Sequence, residues 1–101
     1  MDKDYTHYLI IMALQRVLHA NNIDVIRMDS AYRTGSFLKA FDRESYGNDL
    51  DIWIESESIK VLISGYPSRS FDLASADCID IIIDFIRENW VGWRPNNEAE
   101  W

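Results

Sequence analysis

The chain has 101 residues, 48% of them hydrophobic and 13% aromatic, with a formal net charge of −7. That size fits one domain rather than two, and the apolar content is too high for a disordered acidic tail. The negative charge argues against direct binding to nucleic acid and against docking on an anionic membrane, and is compatible with a basic protein partner.

Asp4 is placed to cap a helix that runs to about Ala20, where Asn21-Asn22 is a stop signal. From Tyr8 to Leu14 every residue is apolar, so the middle of this helix is hydrophobic nearly all round. Such a helix needs cover on more than one side, from the sheet and from either a second helix or a second subunit, which makes a homodimer through this helix a candidate arrangement. Ile23 to Met28 reads as a strand with Ile23 and Val25 on one face and Asp24 and Ile26 on the other. In residues 30–48, Gly35, Ser36, Gly47 and Asn48 are punctuators, and Phe37, Leu38 and Phe41 fit either a turn of helix or an irregular strand.

The next stretch alternates cleanly. Leu50, Ile52 and Ile54 interleave with Asp51, Trp53 and Glu55, and Ser56-Glu57-Ser58 makes a turn. Ile59, Val61 and Ile63 then interleave with Lys60, Leu62 and Ser64, which completes an antiparallel hairpin. Gly65-Tyr66-Pro67-Ser68 turns the chain again, and Arg69 to Leu73 is a candidate for one more short strand. Ser75 is the expected N-cap of a final helix reaching about Trp90, with Ile79, Ile82, Ile83, Ile86 and Trp90 as its buried stripe and Gly92 and Pro95 ending it. The predicted fold is α+β: an N-terminal helix, an antiparallel sheet of three to four strands and a C-terminal helix, with both helices on one sheet face as a two-layer sandwich. One compact domain is expected over residues 1–101, with a short tail from about residue 91 that carries Trp93 and Trp101.

The charge is unevenly spread. Residues 1–48 hold six acids and six bases, whereas residues 49–88 hold nine acids against Lys60, Arg69 and Arg87, a net of −6. Asp77, Asp80, Asp84 and Glu88 recur at i, i+3, i+7 and i+11, one helix face opposite the apolar stripe. Like charges at i, i+4 cost a helix roughly 0.2–0.5 kcal/mol each. Asp77 and Asp80 are partly compensated by the helix dipole, and Arg87 is placed to offset Glu88. The hairpin adds Asp49, Asp51, Glu55 and Glu57, with Trp53 among them as a candidate aromatic anchor. Like charges gathered at a cost point to a basic partner, and the helical acids, roughly 4.5–6 Å apart along the axis, approach the spacing of nucleic-acid phosphates, about 3.4 Å.

Other chemistry is thinner. Gly35-Ser36 followed by Asp49-Leu50-Asp51 resembles the nucleotidyltransferase pattern, in which a Gly-Ser turn holds phosphates and two strand carboxylates bind divalent metal. That resemblance implies Asp49 and Asp51 as metal ligands, with Asp72 as the third. It spans about seventeen residues; Thr34 stands where the pattern has an apolar residue, and the hairpin occupies the place of the family's helix. Glu57-Ser58-Ile59-Lys60 has one residue too many for a restriction-type nuclease core. Cys78 is the one cysteine, read as a buried structural thiol, and His7 and His19 have no zinc spacing. No catalytic residue and no cofactor is expected.

The lone cysteine and the acidic start, with no signal-peptide pattern, point to the cytoplasm. The function expected is that of a non-enzymatic inhibitor which occludes the basic nucleic-acid surface of a nuclease or defence complex. Toxin-immunity proteins and phage counter-defence proteins such as anti-CRISPRs are similar in size, charge and architecture. A dimeric, acidic secretion-type chaperone is a further class with this composition.

Overall fold

Strands that alternate apolar and polar residues, and helices with one apolar stripe, reach a stable state by burying those faces against one another. The structure, a computed structural model, describes residues 3–29, 36–42, 47–55 and 57–93. Its elements are α1 (Lys3–Ala20), β1 (Val25–Asp29), β2 (Ser36–Phe41), β3 (Asp49–Glu55), β4 (Ser58–Ile63), β5 (Arg69–Asp72) and α2 (Cys78–Asn89). The strands form one antiparallel meander in the order β1-β2-β3-β4-β5. α1 packs over β1 and β2, and α2 lies beside it next to β5, so the α+β two-layer arrangement holds.

Register carries the apolar alternation across the sheet. Val25 faces Ala40, Ala40 faces Leu50 and Leu50 faces Ile63; Leu38, Ile52 and Val61 form the neighbouring row. All seven are buried, in one cluster with Ile11, Leu14 and Leu18 of α1 and with Cys78, Ile82, Ile83 and Ile86 of α2. Full burial of an aliphatic side chain stabilises by roughly 1.5–3 kcal/mol, so this cluster is the main favourable contribution to folding.

Among the described residues the sheet has five strands, not three to four. Residues 36–41 are a strand because Leu38 and Ala40 point inward while Phe37, Lys39 and Phe41 point outward, a period of two that the aromatics on the outer face obscure. Arg69–Asp72 supplies the fifth, one residue shorter than expected. β1 starts at Val25 rather than Ile23, because the Ile23 N–H donates to Leu18 O at 3.0 Å and so belongs to the closing turn of α1. Asn22 takes a left-handed φ of 62°, and the Asn21 side-chain amide donates to Val17 O at 2.9 Å; both asparagines thus end the helix as expected. At the other end α1 already includes Lys3, so Asp4 lies inside the first turn rather than capping it. In the hairpin, Ser58 pairs with Glu55 and is part of β4, not of the turn.

α2 begins at Cys78, and Asp77, not Ser75, holds the N-cap position, with no side-chain cap bond. The chain leaves β5 through an Asx turn in which Asp72 Oδ1 accepts from the Ala74 N–H at 2.9 Å, and the Cys78 N–H then donates to Ser75 O. That turn consumes the residues that would have formed the first helical turn. At the far end Trp90 and Trp93 are both buried, and Trp90 Nε1 donates to Asn48 O at 3.1 Å, tying the helix end to the approach to β3. Gly92 is required here because a Cβ would enter the Trp90 indole.

Gly92→Ala is expected to lower stability by about 1–3 kcal/mol through that clash, and Ile82→Ala by about 2–5 kcal/mol through lost burial and a cavity. Urea denaturation followed by tryptophan fluorescence measures both.

Candidate functional site

The residues of α2 that do not enter the core face outward, and Asp77, Asp80, Asp84 and Glu88 are all exposed there. Arg87 pairs with Asp84, not with Glu88. Neighbouring residues on a helix point about 100° apart, whereas residues three apart share a side. The Arg87 guanidinium also lies over the Trp93 ring, 5.9 Å from its centroid. Ile81 is 47% exposed and sits four residues after Asp77 and three before Asp84, an apolar knob within the acidic stripe. Its place in the run Ile81-Ile82-Ile83 makes it look like core; a helical wheel through the four acids is the signal that separates it. An apolar centre with a charged rim is the usual anatomy of a protein-binding patch.

The hairpin acids lie on the other layer. Asp49, Asp51, Trp53 and Glu55 alternate with the buried Leu50, Ile52 and Ile54, so they face the side of the sheet that neither helix covers. The two expected acidic groups are therefore separated by the thickness of the sheet and do not form one surface. Glu57 stands exposed in the β3–β4 turn.

On this face, away from both helices, Lys39, across the strand from Asp51, reaches both carboxylates: Nζ is 3.0 Å from Asp51 Oδ1 and 3.5 Å from Asp49 Oδ2. Burial pulls the Lys39 pKa down, but the hydrogen bond and charge of Asp51, with those of Asp49, outweigh it and leave the ammonium above the usual lysine value. The ammonium also lies 5.6 Å from the centre of the Phe41 ring. Trp53 faces Phe37 on one side and Lys60 on the other, half-buried, while Ile26 and Phe41 are about half exposed nearby.

The nucleotidyltransferase-like set is only partly assembled. Asp49 and Asp51 share a face as their spacing requires, but the position between them is held by Lys39 Nζ. Asp72 pairs with Ser58, while Asp51 pairs with Leu62, four residues away on β4. That offset puts Asp72 about 13 Å along the strands and about 10 Å across them from Asp51. Among the described residues no three His, Cys, Asp or Glu side chains stand close enough to share a metal ion. Ser36 opens β2, and Gly35 lies outside the described residues, as does Trp101.

Cys78 is buried, as a structural thiol would be, and burial pushes its pKa up against the backbone hydrogen bond from Ile79, with the Asp72 charge adding to the rise. His19 is occupied at the end of α1, its Nε2 lying 3.2 Å from Val25 O. No helix among the described residues is long and apolar enough to cross a membrane. No family model, curated protein or solved structure matches the chain. Function is therefore read from its surfaces.

At pH 7, Lys39→Met should lower stability by about 1 kcal/mol, the scale of a partly exposed ion pair. Because the folded lysine titrates above its ordinary 10.5, that difference from wild type is full below this pH and shrinks as the pH rises through the raised value. Paired urea titrations at stepped pH read it directly. A thiol reagent at pH 8 should label Cys78 far more slowly in the native protein than in urea, by at least about a hundredfold.

Proposed function

We propose that this chain is a small, acidic, non-enzymatic protein-binding inhibitor that covers the basic nucleic-acid surface of a nuclease or defence complex in the cytoplasm, as anti-CRISPR and toxin-immunity proteins do. The observation that carries this reading is the outward face of α2, where Asp77, Asp80, Asp84 and Glu88 are exposed along one side with Ile81 among them. Over those residues the stripe is about 16 Å long, enough to lie along several phosphate positions of a nucleic-acid strand.

The mechanism is occlusion. Arginines and lysines of the partner pair with the α2 acids, Ile81 enters an apolar gap between them, and the rest of the chain blocks the nucleic acid sterically. Charge complementarity of this kind speeds encounter and selects the partner more than it adds raw affinity. The hairpin acids, on the opposite side of the sheet and partly neutralised by Lys39, join the long-range attraction but not the same contact.

The test begins with capture of the partner from the native host and its identification by mass spectrometry, followed by assay of that partner's nucleic-acid binding. Wild type should inhibit, with affinity falling at least about tenfold as salt rises from about 50 to about 300 mM. Asp80→Lys with Asp84→Lys should abolish inhibition, and Ile81→Ala should weaken it about tenfold. Undiminished inhibition by the charge-reversed protein would overturn the reading.

A further inference from the structure

α1 and α2 lie side by side on the same sheet face, and their outward stripes are chemically unlike. On α1, Tyr8 and Leu9 are 46% and 47% exposed, and Arg16, one heptad after Leu9, is exposed on the same line. Tyr8 points about 100° round the helix from Leu9, toward β1, where the Arg27 guanidinium lies 5.3 Å from the tyrosine ring centroid, so Arg16 is the charge on the outward line itself. No acid occurs from Tyr5 to Ile23, although the chain as a whole is strongly acidic. On α2, four acids surround Ile81. One layer thus carries an apolar, basic stripe next to an apolar, acidic one.

We propose that the free protein is a homodimer in which the helical layers of two copies meet face to face about a two-fold axis that lies in the plane between the layers, α1 of each copy lying over α2 of the other. Charge decides the occupant and the pairing. α2 against α2 would bring two sets of four acids together, and α1 against α1 would bring Arg16 against its own copy. Only the crossed arrangement sets each stripe against its complement, and a two-fold axis makes that contact twice.

The area is sufficient for a weak, specific dimer. The 18 residues of α1 and 12 of α2 give helices about 27 and 18 Å long; each crossed contact extends over the shorter length, and at about 10 Å width the two contacts present roughly 360 Å² before side-chain relief. With relief this approaches roughly 500 Å² per partner, the size of a weak, transient interface. The arrangement also covers Leu9, which is half-exposed in the apolar midsection of α1. It does not depend on the inhibitory reading; a basic target and a second copy would compete for α2.

Sedimentation equilibrium of the full chain, from about 1 to about 200 μM, tests the proposal. Wild type at about 50 mM salt should show a monomer–dimer equilibrium in the micromolar range, weakened at least about tenfold at about 0.5 M salt. Arg16→Glu alone, and Asp80→Lys with Asp84→Lys, should each weaken dimerisation at least about tenfold. All three together should recover at least about fivefold of that loss, because positions 16, 80 and 84 have exchanged sign while Asp77 and Glu88 keep theirs. Circular dichroism and urea midpoints confirm that each variant is folded. A strict monomer at about 200 μM and low salt overturns the dimer, and failure of the triple variant to recover overturns the crossed pairing. Arg16→Glu leaves the α2 acids in place, so it should still inhibit a captured target; loss of dimer and loss of inhibition are thereby separate readouts.

Discussion

Leu50, Ile52 and Ile54 of the central strand share one buried cluster with Leu14 and Leu18 of α1 and Ile82 and Ile86 of α2. The rest of the molecule depends on this one-sided burial. With both helices on the same face, each strand must send every second residue to the opposite side, away from both helices, and the inward face of each helix must be apolar while its outward face is free to vary. The positions at which the protein can meet a partner are set by that constraint.

One consequence is the division of the acidic charge. The hairpin and the last helix are neighbours in sequence, and together they carry most of the net charge. The sheet stands between their solvent-facing sides. On the sheet face away from both helices the carboxylates of Asp49 and Asp51 have a built-in counter-ion in Lys39, placed by the β2–β3 register. On α2 the sole base of the last turn, Arg87, pairs within the helix to Asp84 and packs on Trp93, and Asp77, Asp80 and Glu88 remain exposed to solvent. The α2 face is therefore the stronger source of negative potential, and the proposed contacts are assigned to it.

Legibility in the sequence followed the strength of the local period. The hairpin over β3 and β4 was readable residue by residue because alternation is strict there, and the α2 core stripe because Ile82, Ile83 and Ile86 recur at helical spacing. β2 was ambiguous because its outward positions include Phe37 and Phe41, which blur the contrast that alternation depends on. The start of α2 lies later than Ser75, a good cap by type, implies, because the Ser75 carbonyl instead closes a turn with the Cys78 N–H. Within the candidate site, the acids and their common helix face were legible; the exposure of Ile81 and the Arg87–Asp84 pair follow from the same helical wheel, but the apolar run Ile81-Ile82-Ile83 and the adjacency of Glu88 to Arg87 obscured them.

Periodicity, composition and charge position determined by themselves that this is an α+β chain with an antiparallel hairpin and an acidic, amphipathic final helix, because each of those features is a local pattern along the chain. Only the tertiary structure decided which surfaces those patterns share. The side of the sheet that the helices cover, and the strand register that sets Lys39 between two carboxylates, come from contacts between residues far apart in sequence. Those long-range contacts put the hairpin acids and the helix acids on opposite layers, and they set a basic, apolar stripe of α1 beside an acidic stripe of α2.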